Sequence, residues 1–254
     1  MNKKLIRNFS SILFIFTLLV GCSTKEAPIT KRGQYITMSE SQEIAIGEKS
    51  YKDFLKKAKI STDKEQTKRV RDIGNKIASI VNRTDYKWEF NLVEDKAKNA
   101  FCLPGGKVVV YSGILGVAKN DSQLATVMSH EIAHALARHG AERVSMSQTS
   151  NFIAGIGNII VQSTYPQYAG TFNKVFSAGS KYAVLMPHGR TQESEADEIG
   201  IHLMNTAGYD IKEALNFWKN MSEGKKESGS SFFSTHPSSS ERIANIQRII
   251  KKIN

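Results

Sequence analysis

His130-Glu131-Ile132-Ala133-His134 is the stretch that decides how this chain is read. On an α-helix, residues four apart are offset by only about 40° and lie one turn apart on a single face. His130 and His134 can therefore direct two imidazole nitrogens at one metal ion about 2.0–2.1 Å away. Glu131 reaches the edge of that site, where a carboxylate can take a proton from a metal-bound water. Leu124, Val127 and Met128 fall on neighbouring faces and are expected to bury the helix, keeping the site partly dry. The competing reading is five ordinary residues of a buried helix. With only six histidines in 254 residues, chance produces HExxH somewhere in about 1% of such chains. The metal reading is preferred.

A catalytic zinc takes three protein ligands and keeps a fourth position open. Ala137 and Gly140 stand where the metzincin pattern needs glycine and histidine, which excludes that class. His139, five residues past His134, lies roughly 140° around a continuous helix and is not expected at the same metal. A glutamate from a second helix is the remaining solution, and Glu193-Ser194-Glu195-Ala196-Asp197 supplies one downstream. Glu193 and Asp197 share a helical face, with Glu195 roughly opposite. Glu193 is the candidate third ligand. Asp197 can accept the second N–H of a ligating histidine and so fix its tautomer. Ala196 and Gly200 are small enough to let this helix approach the first closely.

The N-terminus reads separately. MNKKLIRN is basic and residues 9–20, FSSILFIFTLLV, are apolar. That run is too short to span about 30 Å of hydrocarbon but suits a secretory signal. It ends in Leu19-Val20-Gly21-Cys22, which resembles a bacterial lipobox, with a plain signal peptide or signal anchor as the alternative. The expected organisation is a signal peptide over 1–21, a lipidated Cys22 opening a polar, aperiodic tether to residue 38, and one domain over 39–254. Ser23 lacks the aspartate associated with inner-membrane retention. The expected location is the periplasmic face of the outer membrane, or the outer cell surface in a Gram-positive host. Cys102 is the other cysteine; it is read as a small buried hydrophobe, with no disulfide to make.

The formal charge of +11 falls to +8 once Lys3, Lys4 and Arg7 leave with the leader. Such a surplus favours anionic surfaces, but no arginine stripe or nucleic-acid module accompanies it, and no nucleic-acid partner is expected. Period and capping signals predict helices over 39–59, 64–81 and 121–140, the last capped by Asp121. Alternation and β-branching predict strands over 87–93 and 107–111, the second following the turn Pro104-Gly105-Gly106. Residues 145–187 are apolar and poor in charge, and read as two helices broken at Pro166. A lid, a membrane-facing surface and a partner's dock all suit them. Further helices are expected from about 189, over 211–223 and over 241–253, with a Ser/Gly-rich loop at 224–240.

HEIAHALARH followed by ESEADEIG resembles the HtpX/CaaX-prenyl-protease family of zinc metallopeptidases, the gluzincin type. NAFCLPGGKVVVYSGIL (99–115) and FSTHPSSSERIANI (233–246) are similar to two further blocks of that family, in the same order. With a lipobox in front, the pattern looks like its BepA/LoiP-like group of periplasmic lipoproteins. No tetratricopeptide helices are read after the domain, which departs from BepA itself. The resemblance implies an α+β, mainly helical zincin-type domain with a small sheet and two metal-bearing helices. It implies one Zn2+ per chain held by His130, His134 and Glu193, with Glu131 as base. It further implies that Lys107, Val108, Val109 and Val110 form an edge strand pairing with extended substrate, and that His236 can approach the metal and close the site. Arg190 is a candidate for binding substrate or an oxyanion. The implied activity is hydrolysis of misfolded or unassembled envelope proteins in quality control. The alternative is a chaperone-like assembly factor with a mostly closed metal site. The oligomeric state is not legible.

Overall fold

Four consecutive buried residues, Lys107 to Val110, mark a strand covered on both faces, and the sheet is built around it. The computed structural model describes residues 24–180, 186–223, 236 and 240–253. The signal segment and Cys22 lie outside the described residues, as does the loop 224–240 apart from His236 and Ser240. In chain order the described strands are β1 (Thr24–Glu26), β2 (Gly33–Tyr35), β3 (Glu89–Val93), β4 (Ala100–Leu103) and β5 (Lys107–Tyr111). The helices are α1 (Glu40–Leu55), α2 (Lys64–Ala78), α3 (Ser112–Leu115), α4 (Asp121–Leu136) and α5 (His139–Thr164). They continue with α6 (Ala169–Ser180), α7 (Met186–Thr206), α8 (Glu213–Glu223) and α9 (Ser240–Ile253). The class is α+β and mainly helical, as expected.

Two compact units are present, residues 40–139 with 186–254, and residues up to 39 with 140–185. In the first, β5 is the central strand of an order β3-β5-β4. It runs parallel to β3, with Phe90 opposite Val108, and antiparallel to β4, with Cys102 opposite Val108. Gly105 and Gly106 make the β4–β5 turn at φ 86° and 80°, a pair of positive values that only glycine adopts without strain. Helix α2 supplies Val70, Ile73 and Ile77 to the core, and α4 adds Leu124, Met128 and Ile132. The outer helices bring Ile199, Met204, Phe217, Met221 and Ile246. Helix α7 lies directly against α4 at Gly200, where an added Cβ would stand 3.2 Å from the His130 nitrogen. No side chain larger than hydrogen fits there without moving a backbone.

In the second unit, β1 and β2 pair antiparallel, with Thr24 opposite Tyr35. Arg32 reaches Glu142 through two bonds of 2.8 Å, a bidentate fork. The Tyr35 hydroxyl lies 3.2 Å from Thr149 Oγ1, and the Thr37 N–H donates to Ser145 Oγ. The expected break at Pro166 is a single 3-10 turn, Pro166–Tyr168, between α5 and α6.

Several expectations are corrected. The strand 107–111 is central, so Lys107, Val108, Val109 and Val110 cannot receive a substrate strand; both their edges are already paired. Lys107 Nζ is instead spent on the Lys87 carbonyl and Glu89, 2.6 Å from each. Among the described residues β3 and β4 are the outer strands; Ile60 bridges Val93 at the end of β3, and no strand pairs with the outer side of β4. Part of the stretch read as an aperiodic tether folds as the β1–β2 hairpin. The cap of α4 is Asn120, whose Oδ1 accepts from the Gln123 N–H at 2.9 Å, and not Asp121. That helix also ends at Leu136 and not near Gly140, because Arg138 turns left-handed at φ 54°. The Arg138 guanidinium is held there by buried Glu43, with Nε to Oε1 at 2.7 Å.

Candidate metal centre

The close approach at Gly200 brings the two sequence motifs face to face. His130 and His134, one turn apart on α4, turn their Nε2 atoms to within 3.1 Å of each other. From α7, Glu193 places Oε2 3.4 Å from His130 Nε2 and Oε1 3.3 Å from His134 Nε2. His236 completes the group, its Nδ1 3.3 Å from His130 Nε2 and 3.1 Å from Glu193 Oε2. Two imidazole nitrogens at such separation cannot both carry protons, so lone pairs converge. Four ligands around a tetrahedral ion at about 2.05 Å stand about 3.3 Å apart. The observed separations, 3.1 to 3.4 Å, fit a metal ion at their centre. All four side chains are buried.

The surroundings orient these groups. Asp197 Oδ1 lies 3.0 Å from His130 Nδ1, the far nitrogen of that ring. Arg242 forks onto the same carboxylate, Nε to Oδ2 at 2.5 Å and Nη2 to Oδ1 at 2.8 Å. Its guanidinium stacks 4.0 Å above the Trp218 ring and sends Nη1 to Glu193 at 3.1 Å. Burial works against the Asp197 carboxylate, but Arg242 and His130 outweigh it and hold its pKa below the ordinary value. Glu193 is likewise kept ionised against burial by its three histidine contacts.

His139 supports the other ligand. The left-handed Arg138 swings it back toward α4, and its Nδ1 sits 2.7 Å from His134 Nδ1. Its Nε2 is 2.9 Å from Glu195 Oε2. With His134 Nε2 facing the metal position, the proton of that ring is on Nδ1. One arrangement satisfies every atom: His134 Nδ1–H donates to His139 Nδ1, and His139 Nε2–H donates to Glu195.

Glu131 stands beside the cluster, Oε1 3.4 Å from His236 Nε2. That oxygen has no hydrogen-bond partner among the described residues. Burial pushes the Glu131 pKa up from the carboxylate range, which suits a group that must both take and return a proton.

The structure thus brings together His130, Glu131, His134, Glu193, Asp197 and His236. It does not bring Arg190, which is exposed at the start of α7. Helical phase alone had set aside His139 and Glu195, and Arg242 had no role although it sits inside the quoted ERI block. Trp218 carried no signal.

A buried HExxH pair with a downstream glutamate defines the site of a metallopeptidase of gluzincin type. The model of "Peptidase family M48" matches residues 64–250, and the chain belongs to that family of metalloproteases. It is 32% identical over 225 residues to the mitochondrial metalloendopeptidase OMA1 of Schizosaccharomyces pombe, covering 87% of this chain and 64% of that one. Against OMA1 of Saccharomyces cerevisiae the figures are 30% over 278 aligned positions, 99% and 78%. The beta-barrel assembly-enhancing protease of Escherichia coli strain K12 is 28% identical over 213 residues, 82% of this chain and 44% of its own. The chain therefore spans less than two thirds of the first relative and under half of the bacterial one.

Proposed function

We propose that the protein is a zinc-dependent endopeptidase of the cell envelope that acts on misfolded or unassembled polypeptides. The observation that carries the reading is the convergence of His130 Nε2, His134 Nε2 and the Glu193 carboxylate at tetrahedral spacing, with Glu131 alongside. Those three residues hold one zinc per chain. When bound, zinc polarises a scissile carbonyl and makes a coordinated water more acidic. Glu131 accepts the proton of the attacking water as its oxygen bonds to the carbonyl carbon. It then delivers that proton to the nitrogen as the C–N bond breaks. Asp197, secured by Arg242, fixes the His130 tautomer, and the His139–Glu195 pair does so for His134.

The substrate rail is β4. The Asn99 carbonyl accepts from the Tyr111 N–H, and antiparallel alternation from that pair turns the backbone groups of Ala100 and Cys102 outward. The Ala100 N–H is taken by Asn99 Oδ1 at 3.0 Å, which leaves the Ala100 carbonyl and both groups of Cys102. An extended substrate adds there as a further strand. Anchorage follows from lipidation at Cys22. The relatives' names, a beta-barrel assembly-enhancing protease and mitochondrial metalloendopeptidases, support quality control of membrane-associated proteins as the task.

His236 favours a second reading. Its Nδ1 takes the fourth corner that a catalytic water needs, so it acts as a gate, and a mostly closed site suits a chaperone-like assembly factor. Casein degradation by the purified protein, beside Glu131→Gln and His236→Ala with zinc content measured, separates the two. Peptidase action requires zinc-dependent cleavage, abolished in Glu131→Gln and faster in His236→Ala. Zinc-loaded protein that leaves casein intact even as His236→Ala would reject the peptidase.

A further inference from the structure

The unit formed by residues up to 39 and 140–185 has a feature that hydrolysis does not use. One face of α5 exposes large apolar side chains: Phe152 is 67% exposed, Ile159 68% and Ile160 57%, with Ile153 and Ile156 between them, while the exposed polar residues, among them Arg143, Gln148 and Gln162, lie elsewhere along the helix. Positions 152, 156, 159 and 160 share one face, with 153 beside it, so they make a broad stripe. Tyr165 and Tyr168 continue it at the tip, and Val175, 66% exposed, lies on α6. The two helices are a built hairpin. Phe172 fills the notch left by Gly157, where a Cβ would come within 2.5 Å of its ring, and Asn173 Nδ2 donates to Asn158 Oδ1 at 3.1 Å. The unit's folding therefore does not consume the stripe.

Charge identifies the occupant. From Arg143 to Gln192 no acidic residue occurs, while Arg143, Lys174, Lys181 and Arg190 do. At the density of 24 acidic residues in 254, a stretch of that length carries about five. Across 23–39 and 140–185, six basic residues face two acidic ones. A dock for a polypeptide of mixed charge gains nothing from excluding acids, whereas an anionic bilayer repels each of them. Tyrosines at the tip suit the level of the headgroups. No helix among the described residues is long and apolar enough to cross a membrane, so the geometry is that of helices lying in the interface.

We propose that the α5–α6 hairpin docks on the surface of an anionic lipid bilayer, inserting Phe152, Ile156, Ile159 and Ile160 among the headgroups. The contact is separate from lipidation at Cys22. In sequence Cys22 stands two residues before β1, and one lipid chain alone gives only marginal, reversible binding.

The test is Ile159→Trp in the mature, full-length protein, with phosphatidylcholine vesicles containing or lacking about one third phosphatidylglycerol and doped with doxyl lipid. The parent, with Trp218 buried and Trp88 half-buried, supplies the baseline. The expected result is a blue shift and doxyl quenching of the added tryptophan, stronger with phosphatidylglycerol and reduced about tenfold by Ile153→Glu with Ile156→Glu. Casein cleavage by that variant checks its fold. Cosedimentation reads the anchor by itself: an anchored protein still pellets with vesicles when the glutamates abolish quenching. Pelleting without quenching in the Ile159→Trp protein overturns the proposal. So does a blue shift that needs no vesicles and grows with protein concentration, which marks a second copy. A shift seen only with added casein marks a polypeptide dock and overturns it equally.

Discussion

Replacing His139 by phenylalanine keeps a ring in the space beside His134 but removes the acceptor 2.7 Å from its Nδ1. The His134 N–H is then buried without a partner, a penalty of about 1–3 kcal/mol. That penalty falls mainly on the metal-bound state, where the proton must stay on Nδ1. Loss of an outer hydrogen bond of this kind lowers metal affinity about 10- to 100-fold, equivalent to about 1.4–2.7 kcal/mol, and the two figures agree. Glu195→Gln is the milder perturbation, because an amide oxygen can still accept from His139 Nε2–H while the charge is gone; it should cost less than about tenfold. The assay is competition for zinc against a chromophoric chelator at fixed pH, beside thermal unfolding of the metal-free proteins to separate folding from binding. The two changes should be non-additive, since each breaks the same chain. Unchanged zinc affinity in His139→Phe, with an intact melting transition, would refute the supporting role. So would strict additivity.

Other consequences are as direct. Gly200→Val puts side-chain carbon against the His130 backbone, where even a Cβ stands 3.2 Å away; a loss of about 1–3 kcal/mol is expected, read as a lower Tm together with weaker zinc retention. Arg242→Met leaves the buried Asp197 carboxylate without its fork and should cost about 3–5 kcal/mol in urea unfolding. Adding Asp197→Leu should recover much of that, and no recovery would show that Arg242 acts elsewhere. Glu213 accepts from Asn120 Nδ2 at 2.8 Å and Gln123 Nε2 at 2.6 Å, and those bonds hold its pKa below 4.5. Its contribution to stability is complete above that pH and is lost as pH falls through the lower folded value. Glu213→Gln should therefore flatten the fall of Tm on the acid side, and a superimposable pH profile would count against the assignment.

The same-face pairs His130 with His134 and Glu193 with Asp197 are legible because each depends on local helical period, while the α+β class and the meeting of the two pairs are implied by the family resemblance. What failed depended on context that period does not carry. Residues 107–111 form a strand as their β-branching implies, but whether a strand is central or at an edge is decided by β3 and β4, far away or weakly marked. Ala100–Leu103 escaped notice, being four residues between turns with no alternation. His139 is outside the metal-ligand group, as helical phase implies, but its bond to His134 is not legible, because nothing at Arg138 announces a left-handed residue, the usual glycine being absent. Its conformation is held by Glu43, from a helix distant in sequence. Arg242 finds Asp197 and Trp218 only through tertiary packing.

With β4 as the proposed substrate rail, its shortness bears on what can be selected. With the Ala100 N–H donating to Asn99 Oδ1, the two outward residues offer at most three backbone hydrogen bonds, each worth about 1 kcal/mol net in water. Their sum corresponds to a dissociation constant of about 6 mM. Such a grip cannot pull a strand out of a folded sheet, and backbone groups carry little information about side chains. Used as the rail, β4 admits segments that have already lost their own pairing. Discrimination then rests on whether a polypeptide is folded rather than on which residues it contains.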